Sequence, residues 1–190
     1  MMSHQVYPGN DLKGWMRPEL LQWLYATAGR MDSVVEIGSW YGRSTHALLS
    51  GTHGPVFAVD HWQGSRTAAG DLDPACRAVQ REDVFARFLK NLNHFPNLQV
   101  ICKPSLEAAA LFQDAAVDMV FIDGGHLYEE VRADILAWRP KARKLIAGHD
   151  YRSGWPGVVQ AVREIFGTNF HTLGSIWYHQ IVHHFDQDLG

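Results

Sequence analysis

A carboxylate and an imidazole follow the most strand-like apolar run of this 190-residue sequence. The run VDMVFI, at positions 117–122, leads directly into Asp123, two glycines and His126. A histidine changes its charge near neutral pH and can take a proton from a hydroxyl group, whereas a carboxylate can hold a cation or a donor. Charged groups that end a strand instead of interrupting it predict a functional site there. The alternative for His126 is a histidine that caps the next helix or bonds a backbone carbonyl.

Five short runs rich in β-branched residues predict the strands that carry such groups. Each is almost continuously apolar, which is typical of strands covered on both faces. Helical patterns separate them, so the order predicts right-handed crossovers and a doubly wound parallel sheet of the α/β class. The runs are SVVEIG at 33–38, PVFAVD at 55–60, LQVICK at 98–103, VDMVFID at 117–123 and KLIAGHD at 144–150.

One domain accounts for the whole length, residues 1–190, since nothing in the sequence marks a second core. We expect an N-terminal helical cap at 1–31 and a Rossmann-like core at 32–190. The core should end in a hairpin around Gly174, where two further strand-like runs meet.

Ligands of open α/β sheets bind beyond the carboxyl ends of the strands, where the strand order reverses. Polar residues follow all five predicted strands, so we expect them to meet at one edge of the sheet. They are Glu36 after the first strand, Asp60 and His61 after the second, Ser105 after the third, Asp123 and His126 after the fourth, and His149 and Asp150 after the fifth.

The turn after the first strand, in VVEIGSWYGRST, is a candidate cradle for a cofactor. Gly38 and Gly42 permit a tight turn, and the amides that follow open a helix. A dinucleotide site would need the spacing G-x-G-x-x-G, and Trp40 and Tyr41 stand where a pyrophosphate requires clearance. The spacing counts against NAD and FAD. The alternative is a strand-turn-helix corner with two structural glycines.

Asp60 adds weight to a nucleoside site. A carboxylate at the end of the second strand, about 20 residues after the glycine turn, is placed to accept hydrogen bonds from both ribose hydroxyls. A solvated carboxylate that merely ends a strand is the alternative for this residue alone. Trp15, Trp62 and Trp155 lie in predicted loops and are candidates for stacking on a cofactor or substrate.

Composition excludes several classes of function. The net charge is −3 and the 17 basic residues are scattered, so the sequence predicts no nucleic-acid partner. No apolar run reaches the length of a membrane span, and the start has no secretory signal. Two cysteines without C-x-x-C spacing indicate reduced thiols and a cytoplasmic protein.

Several segments together resemble the class I S-adenosylmethionine-dependent methyltransferases. The likeness is greatest to their small-molecule and sugar O-methyltransferase branch, which is macrocin O-methyltransferase-like and of the methyltransferase 24 type. It implies a Rossmann-like, doubly wound, seven-stranded sheet, mostly parallel with an antiparallel last strand. It also implies methyl transfer from S-adenosyl-L-methionine to a hydroxyl of a small molecule or sugar. The segments are GWM, VVEIGSWYGRST, AVDHWQGS, VDMVFIDGGHLYEEVRADILAWRP, IAGHDY and PGVVQAVREIFG, within residues 14–167.

The resemblance also implies a set of cofactor-binding residues. Glu36 and the glycine turn would cradle the methionine part, Asp60 would hold the ribose, and the remainder would lie near the adenine or the transferred methyl group. The full set is Glu36, Gly38, Ser39, Trp40, Tyr41, Gly42, Arg43, Ser44, Asp60, His61, Trp62, Ser105 and Asp123.

Catalysis has two possible schemes. In metal-dependent relatives, an acid at the position of Asp123 and a pair after the fifth strand bind a divalent ion; the pair here is His149 and Asp150. Magnesium prefers oxygen ligands, so the histidine leaves room for Mg²⁺, Mn²⁺, a softer ion or no ion. Because three side chains that can bind a metal follow adjacent strands, the sequence slightly favours the ion-dependent scheme. Without an ion, His126 or His149 would act as the base, so the candidate catalytic residues are Asp123, His126 and His149.

Two other classes of function remain open at this point. A nicotinamide-dependent oxidoreductase is disfavoured by the glycine spacing, and a non-catalytic nucleoside-binding protein could use the same fold. The acceptor and the oligomeric state, including a homo-oligomer, are not readable from the sequence.

Overall fold

The computed structural model describes residues 6–182 of the chain. Residues 1–5 and 183–190 lie outside that range, so the outer ends of the predicted cap and core cannot be described. Seven strands form one sheet: β1 (Val34–Ile37), β2 (Val56–Asp60), β3 (Leu98–Cys102), β4 (Val117–Ile122), β5 (Ala142–Gly148), β6 (His171–Leu173) and β7 (Ile176–Gln180).

The strand order is β3-β2-β1-β4-β5-β7-β6, so the order reverses between β1 and β4. The first five strands are parallel, and β7 runs antiparallel between β5 and β6. The predicted seven-stranded sheet and its terminal hairpin are therefore confirmed. Ile37 of β1 pairs with Val59 of β2 and with Ile122 of β4, which aligns the carboxyl ends of the three strands at one edge.

Helices cover both faces of the sheet, as an α/β fold requires. They are α1 (Pro18–Ala28), α2 (Arg43–Gly51), α3 (Val84–Leu92), α4 (Ser105–Ala109), α5 (Tyr128–Trp138) and α6 (Pro156–Phe166). Short 3₁₀ segments occupy Pro74–Gln80 and Arg139–Lys141. Leu24, Leu48 and Met119 belong to the core on one face, whereas Ile135 and Ile146 belong to the core on the other.

Three local predictions differ from the structure. The third strand has exposed positions such as Val100 and is not covered on both faces; within residues 6–182 it is an edge strand that pairs with β2. The pattern SLEAAALFQDA, at 105–115, predicts a longer helix than α4, since the amides of Leu111 and Phe112 bond the third residue back and tighten the last turn. The strand predicted at 144–150 ends at Gly148, because Asp150 adopts φ of 58° and the chain leaves the sheet.

Within residues 6–182, no helix is both long enough and apolar enough to cross a membrane.

We expect Gly148→Ala to destabilise the fold by about 1–3 kcal/mol, the usual cost of overpacking a dense core. A Cβ atom at Gly148 would lie 2.6 Å from atoms of the Trp177 indole, which is 1% exposed and has no free space to move into. Urea unfolding measures the loss. Gly154→Ala is the matched control, since no heavy atom lies within 4 Å of its Cβ position. Equal stability of the two variants would contradict the packing of β5 on β7.

Candidate active site

A cavity of about 620 Å³ opens at the carboxyl edge of the sheet. Its volume is within the range of small-molecule sites in proteins. Residues that follow each of the first five strands line it, together with a segment that precedes α1. The expected convergence at this edge is therefore what the structure shows, except for Glu36, which is not part of the cavity wall. From the predicted set, the cavity wall includes Gly38, Ser39, Trp40, Tyr41, Arg43, Ser44, Asp60, His61, Ser105, Asp123, His126, His149 and Asp150.

The glycine turn between β1 and α2 needs both of its glycines. Gly38 has φ of 88°, and a Cβ atom there would lie 2.2 Å from the carbonyl oxygen of Asp123. Gly42 has φ of 89°, and its Cβ would lie 2.4 Å from a methyl carbon of Leu92. Glycine alone suits positions that combine positive φ with such close approach. The turn is thus pressed against β4 on one side and α3 on the other.

Asp60 organises the turn as well as facing the cavity. One carboxylate oxygen accepts a hydrogen bond from the Trp40 amide at 2.9 Å, and the other accepts one from the Trp62 amide at 2.6 Å. Each oxygen has a second lone pair, so the carboxylate can still accept hydrogen bonds from a ligand. Its backbone contacts hold two adjacent loops in a fixed orientation.

Three side chains of the predicted cofactor set are either directed away from the cavity or bonded to other parts of the protein. The Trp62 indole is buried, packs on Phe85 and Phe88, and is not part of the cavity wall. Glu36 lies behind the turn, fully buried, where the Thr45 hydroxyl donates to it. The Arg43 guanidinium lies at the cavity but donates to backbone carbonyls of the segment before α1. Sequence spacing indicated the neighbourhood of these residues but not the direction of their side chains.

The candidate metal ligands form one cluster. His149 Nδ1 lies 3.2 Å from a carboxylate oxygen of Asp123 and 3.5 Å from one of Asp150. Ligand atoms of the three residues lie within 4.8 Å of one another. The pairing of β4 with β5 causes this, because the His149 amide bonds the Ile122 carbonyl just before Asp123. On its other side, His149 Nε2 contacts the hydroxyl of Ser175 at 2.9 Å.

His126 joins the same cluster through Asp150. Its Nε2 lies 2.9 Å from Asp150 Oδ2, and its ring stacks on Trp155 with centroids 3.9 Å apart and planes at 14°. Within residues 6–182, Nδ1 of this ring has no hydrogen-bond partner. Arg152 donates to the other oxygen of Asp150 at 3.0 Å. One nitrogen of His126 is therefore held by a carboxylate while the other is available to a ligand.

The charges of the cluster depend on one another. Burial opposes the charged form of His149, but the carboxylates of Asp123 and Asp150 outweigh it and raise its pKa. Burial raises the pKa of Asp123. Burial also acts to raise that of Asp150, but the hydrogen bond with His126 and the nearby charges of His149 and Arg152 lower the pKa overall. Asp150 is thus an anion held between cationic or hydrogen-bond-donating groups.

Sequence reasoning missed several polar residues of the site, among them Arg152, Asp134 and Ser175. Asp134, on the second turn of α5, is buried in the cavity wall, and burial raises its pKa to about 6. Its mid-helix position resembles that of any surface acid, so the sequence has no signal for it. Ser175 lies in the β6–β7 turn and reaches His149 only because β7 pairs with β5.

Comparison with known proteins identifies the family. A family model described as a methyltransferase domain matches residues 35–151, which is more than half of the chain. The chain belongs to this methyltransferase family. The resemblance seen in the sequence is thereby confirmed. An uncharacterized Sinorhizobium fredii protein, y4gI, is 28% identical in an alignment of 144 residues that covers 72% of this chain. The chain spans only 15% of the length of that relative.

Solved methyltransferases share the fold at low identity. The SAH-bound Podospora anserina methyltransferase PaMTH1 has a TM-score of 0.60 at 13% identity, over 88% of this chain and 80% of that one. A SAM-dependent O-methyltransferase from Thermotoga maritima also has 0.60, at 12% identity over 90% and 68%. The calicheamicin methyltransferase CalS11 has 0.58, at 16% identity over 85% and 77%. Such identities show a common fold only.

The buried Glu36 of this methyltransferase should make its stability depend on pH. Burial raises the Glu36 pKa to about 7, so the folded state favours the protonated acid. That contribution to stability is complete below the ordinary pKa near 4.5 and is lost as the pH rises through about 7. Between pH 4.5 and 8, the wild type should lose roughly 3 kcal/mol of unfolding free energy relative to Glu36→Gln, which cannot ionise.

Urea unfolding of both proteins across this pH range measures the difference. The exposed Glu129→Gln is the control and should show little change relative to the wild type. A wild type and Glu36→Gln whose stabilities run parallel from pH 4.5 to 8 would show that Glu36 is ionised in the folded state.

Proposed function

We propose that this methyltransferase transfers the methyl group of S-adenosylmethionine to a hydroxyl oxygen of a small molecule or sugar. One observation carries the proposal: the histidine and carboxylate cluster opens into the same cavity as the glycine turn and Asp60. A group that can take a proton from a hydroxyl thus shares one cavity with the residues expected to hold the methyl donor. The names of two fold neighbours, an O-methyltransferase and a calicheamicin methyltransferase, agree with this chemistry.

The cofactor would extend along the carboxyl edge of the sheet. In this proposal the glycine turn takes its methionine part, and Asp60 accepts hydrogen bonds from its ribose. His61 and Ser105 would lie near the adenine, and both are on the cavity wall. In this arrangement the transferred methyl group would lie near Asp123 and the cluster beyond it.

His126 is the base that the contacts favour. A sulfonium is already activated, so the protein has to align the acceptor oxygen and remove its proton. In this scheme Nε2–H of His126 donates a hydrogen bond to Asp150, which leaves Nδ1 as the basic nitrogen, and stacking on Trp155 fixes the ring. As the oxygen–methyl bond forms and the sulfur–methyl bond breaks, Nδ1 takes the hydroxyl proton. His149 is less suited, because both of its nitrogens have partners.

The cluster also fits a divalent cation. Asp123, Asp150 and His149 would hold it, since their ligand atoms already lie within 4.8 Å of one another. A bound ion would act as a Lewis acid on the acceptor hydroxyl and lower its pKa. His149 Nδ1 would have to be free of its proton, because that nitrogen faces both carboxylates. The existing contacts of Asp150 with His126 and Arg152 already balance its charge, and this favours direct proton transfer.

Two rival functions have less support. A nicotinamide-dependent oxidoreductase would need clearance for a pyrophosphate, but Trp40 and Tyr41 occupy the turn and Trp40 lines the cavity. A non-catalytic nucleoside-binding protein would not need the histidine and carboxylate cluster. Calorimetry with S-adenosylmethionine and with NAD tests the first rival, and formation of S-adenosylhomocysteine tests the second.

Asp60→Ala should weaken S-adenosylmethionine binding by about 1–3 kcal/mol, the usual loss for hydrogen bonds to a charged group. Part of the loss will come from the turn, since Asp60 also holds two backbone amides. Calorimetry measures the affinity, with Asp114→Ala, on the exposed surface, as the control. Unchanged affinity in Asp60→Ala would mean that the ribose is held elsewhere.

His126→Gln should lower turnover by roughly 10²–10⁴-fold, the usual contribution of a general base. Its affinity for S-adenosylmethionine should stay unchanged, because the base contacts the acceptor. A mass-spectrometric screen of hydroxylated acceptors identifies a substrate, and formation of S-adenosylhomocysteine then measures the rate. His171→Gln, at an exposed position, is the matched control.

Excess chelator separates the two catalytic schemes. Under proton transfer by His126, activity persists in chelator. Loss of activity in chelator, recovery with added Mg²⁺ or Mn²⁺, and an equal defect in Asp150→Ala would establish the ion scheme instead. Asp123→Ala is uninformative here, because it should damage both.

A further inference from the structure

Residues 10–16, here called the N-terminal strap, form part of the cavity wall without forming a helix or a strand. Four consecutive members, from Lys13 to Met16, line the main cavity. Lys13, Gly14 and Trp15 also line a smaller adjoining cavity of about 350 Å³. An irregular segment lacks the hydrogen bonds of a regular element, so something else must hold it in place.

Arg43, the first residue of α2, supplies those hydrogen bonds. Its Nε donates to the Met16 carbonyl at 2.9 Å, and its Nη1 donates to the Leu12 carbonyl at 2.8 Å. Nη1 also lies 3.3 Å from the Asn10 carbonyl, and the Asn10 side chain donates back to the Arg43 carbonyl at 3.1 Å. One guanidinium thus contacts the beginning, middle and end of the strap.

The aliphatic part of the Arg43 side chain, here called its stem, also packs directly against the strap. A Cβ atom at Gly14 would lie 2.8 Å from Arg43 Cδ and 3.0 Å from its Cβ. Because Gly14 has no side chain, the strap backbone can lie directly along the arginine stem. Trp15 then extends over Trp40, with ring centroids 6.1 Å apart, although 61% of it is exposed.

Two buried residues anchor the strap independently of Arg43. Tyr7 precedes it, is buried, and contacts His46 through its hydroxyl at 2.8 Å and Gln22 through its amide at 2.7 Å. Met16 ends it in the core. Removal of the guanidinium should therefore release the exposed middle of the strap and leave the fold intact.

We propose that Arg43 is a positioning residue that pins the N-terminal strap across the cavity, and that it is not a direct ligand of the cofactor. An arginine suits this task, because its planar fork can donate to several carbonyls at once while a lysine offers a single charge. Pinned in this way, Lys13 to Met16 form a preorganised wall of the binding site. The bound molecule is S-adenosylmethionine only if the proposed function holds; the pinning itself does not depend on it.

Release of the strap should weaken ligand binding indirectly. A ligand that contacts a mobile wall must order it on binding, and this ordering lowers the observed affinity. A direct ligand would behave differently: its loss would lower affinity while the strap stayed closed. Strap mobility and ligand affinity, measured on the same variant, therefore distinguish positioning from direct contact.

Trypsin reports strap mobility at one bond. Lys13 is the first lysine or arginine of the chain, and Arg17 is followed by proline, which blocks cleavage there. When the strap opens and closes faster than trypsin cuts, the rate of cleavage between Lys13 and Gly14 is proportional to the fraction of molecules with an open strap. The test variant is Arg43→Met, which keeps an apolar stem, and the matched control is Arg30→Met at an exposed turn. Mass spectrometry identifies the fragment.

Arg43→Met should be cleaved at Lys13 roughly tenfold faster than the wild type or more, since each hydrogen bond to a charged donor counts for about a factor of ten in an opening equilibrium. Arg30→Met should match the wild type. S-adenosylmethionine should protect wild-type Lys13, and calorimetry should show weaker binding to Arg43→Met. Unchanged cleavage in this variant, with or without weaker binding, would overturn the proposal; weaker binding with unchanged cleavage would make Arg43 a direct ligand.

Gly14→Ala provides a second test that leaves the guanidinium in place. Its added methyl group should push the strap off the Arg43 stem and accelerate cleavage at Lys13 as well. Thermal unfolding confirms that both variants are folded before cleavage is compared. If S-adenosylmethionine does not bind the wild type, the proposed function fails, but the comparison of ligand-free cleavage rates still decides the role of Arg43.

Discussion

The close approach of β1 and β4 at Gly38 is the constraint on which the site depends. The Asp123 amide donates to the Ile37 carbonyl at 2.7 Å, and the position of a Gly38 Cβ lies 2.2 Å from the Asp123 carbonyl oxygen. Any side chain at Gly38 would separate the two strand ends. The cradle expected to hold the methyl donor and the first carboxylate of the histidine and carboxylate cluster are therefore placed by the same backbone contact.

The charged groups next to this contact lie close to groups of opposite charge or to hydrogen-bond donors. Asp150 accepts from His126 and Arg152, and His149 lies between Asp123 and Asp150. The contacts of Asp150 outweigh its desolvation and lower its pKa, whereas burial outweighs the contact of Asp123 with His149 and raises the pKa of Asp123. One consequence is that a proton and a cation would compete for the same position. The nitrogen of His149 that faces the carboxylates can hold either one, but not both.

The cavity combines two kinds of wall. Strand ends and the turns after them are held by the hydrogen bonds of the sheet, and Asp60 extends that rigidity to two loops through the amides of Trp40 and Trp62. The N-terminal strap has no such network and depends on side-chain contacts, above all those of Arg43. A rigid wall of strand ends together with a strap held by side-chain contacts suits a reaction that needs a fixed alignment of donor and acceptor. It also leaves a route by which both molecules can enter.

The sequence by itself determined the sheet, its strand ends and the identity of the polar residues there. Apolar runs separated by helical patterns require parallel strands, and parallel strands bring their carboxyl ends to one edge, so Asp60, Asp123 and Asp150 could be assigned to one site. Only the tertiary structure decided where side chains point. The Trp62 side chain packs into the core, and the Arg43 side chain bonds the strap. Ser175 contacts His149 because β7 pairs with β5. Those outcomes depend on contacts between residues distant in sequence, which the local pattern at each position does not contain.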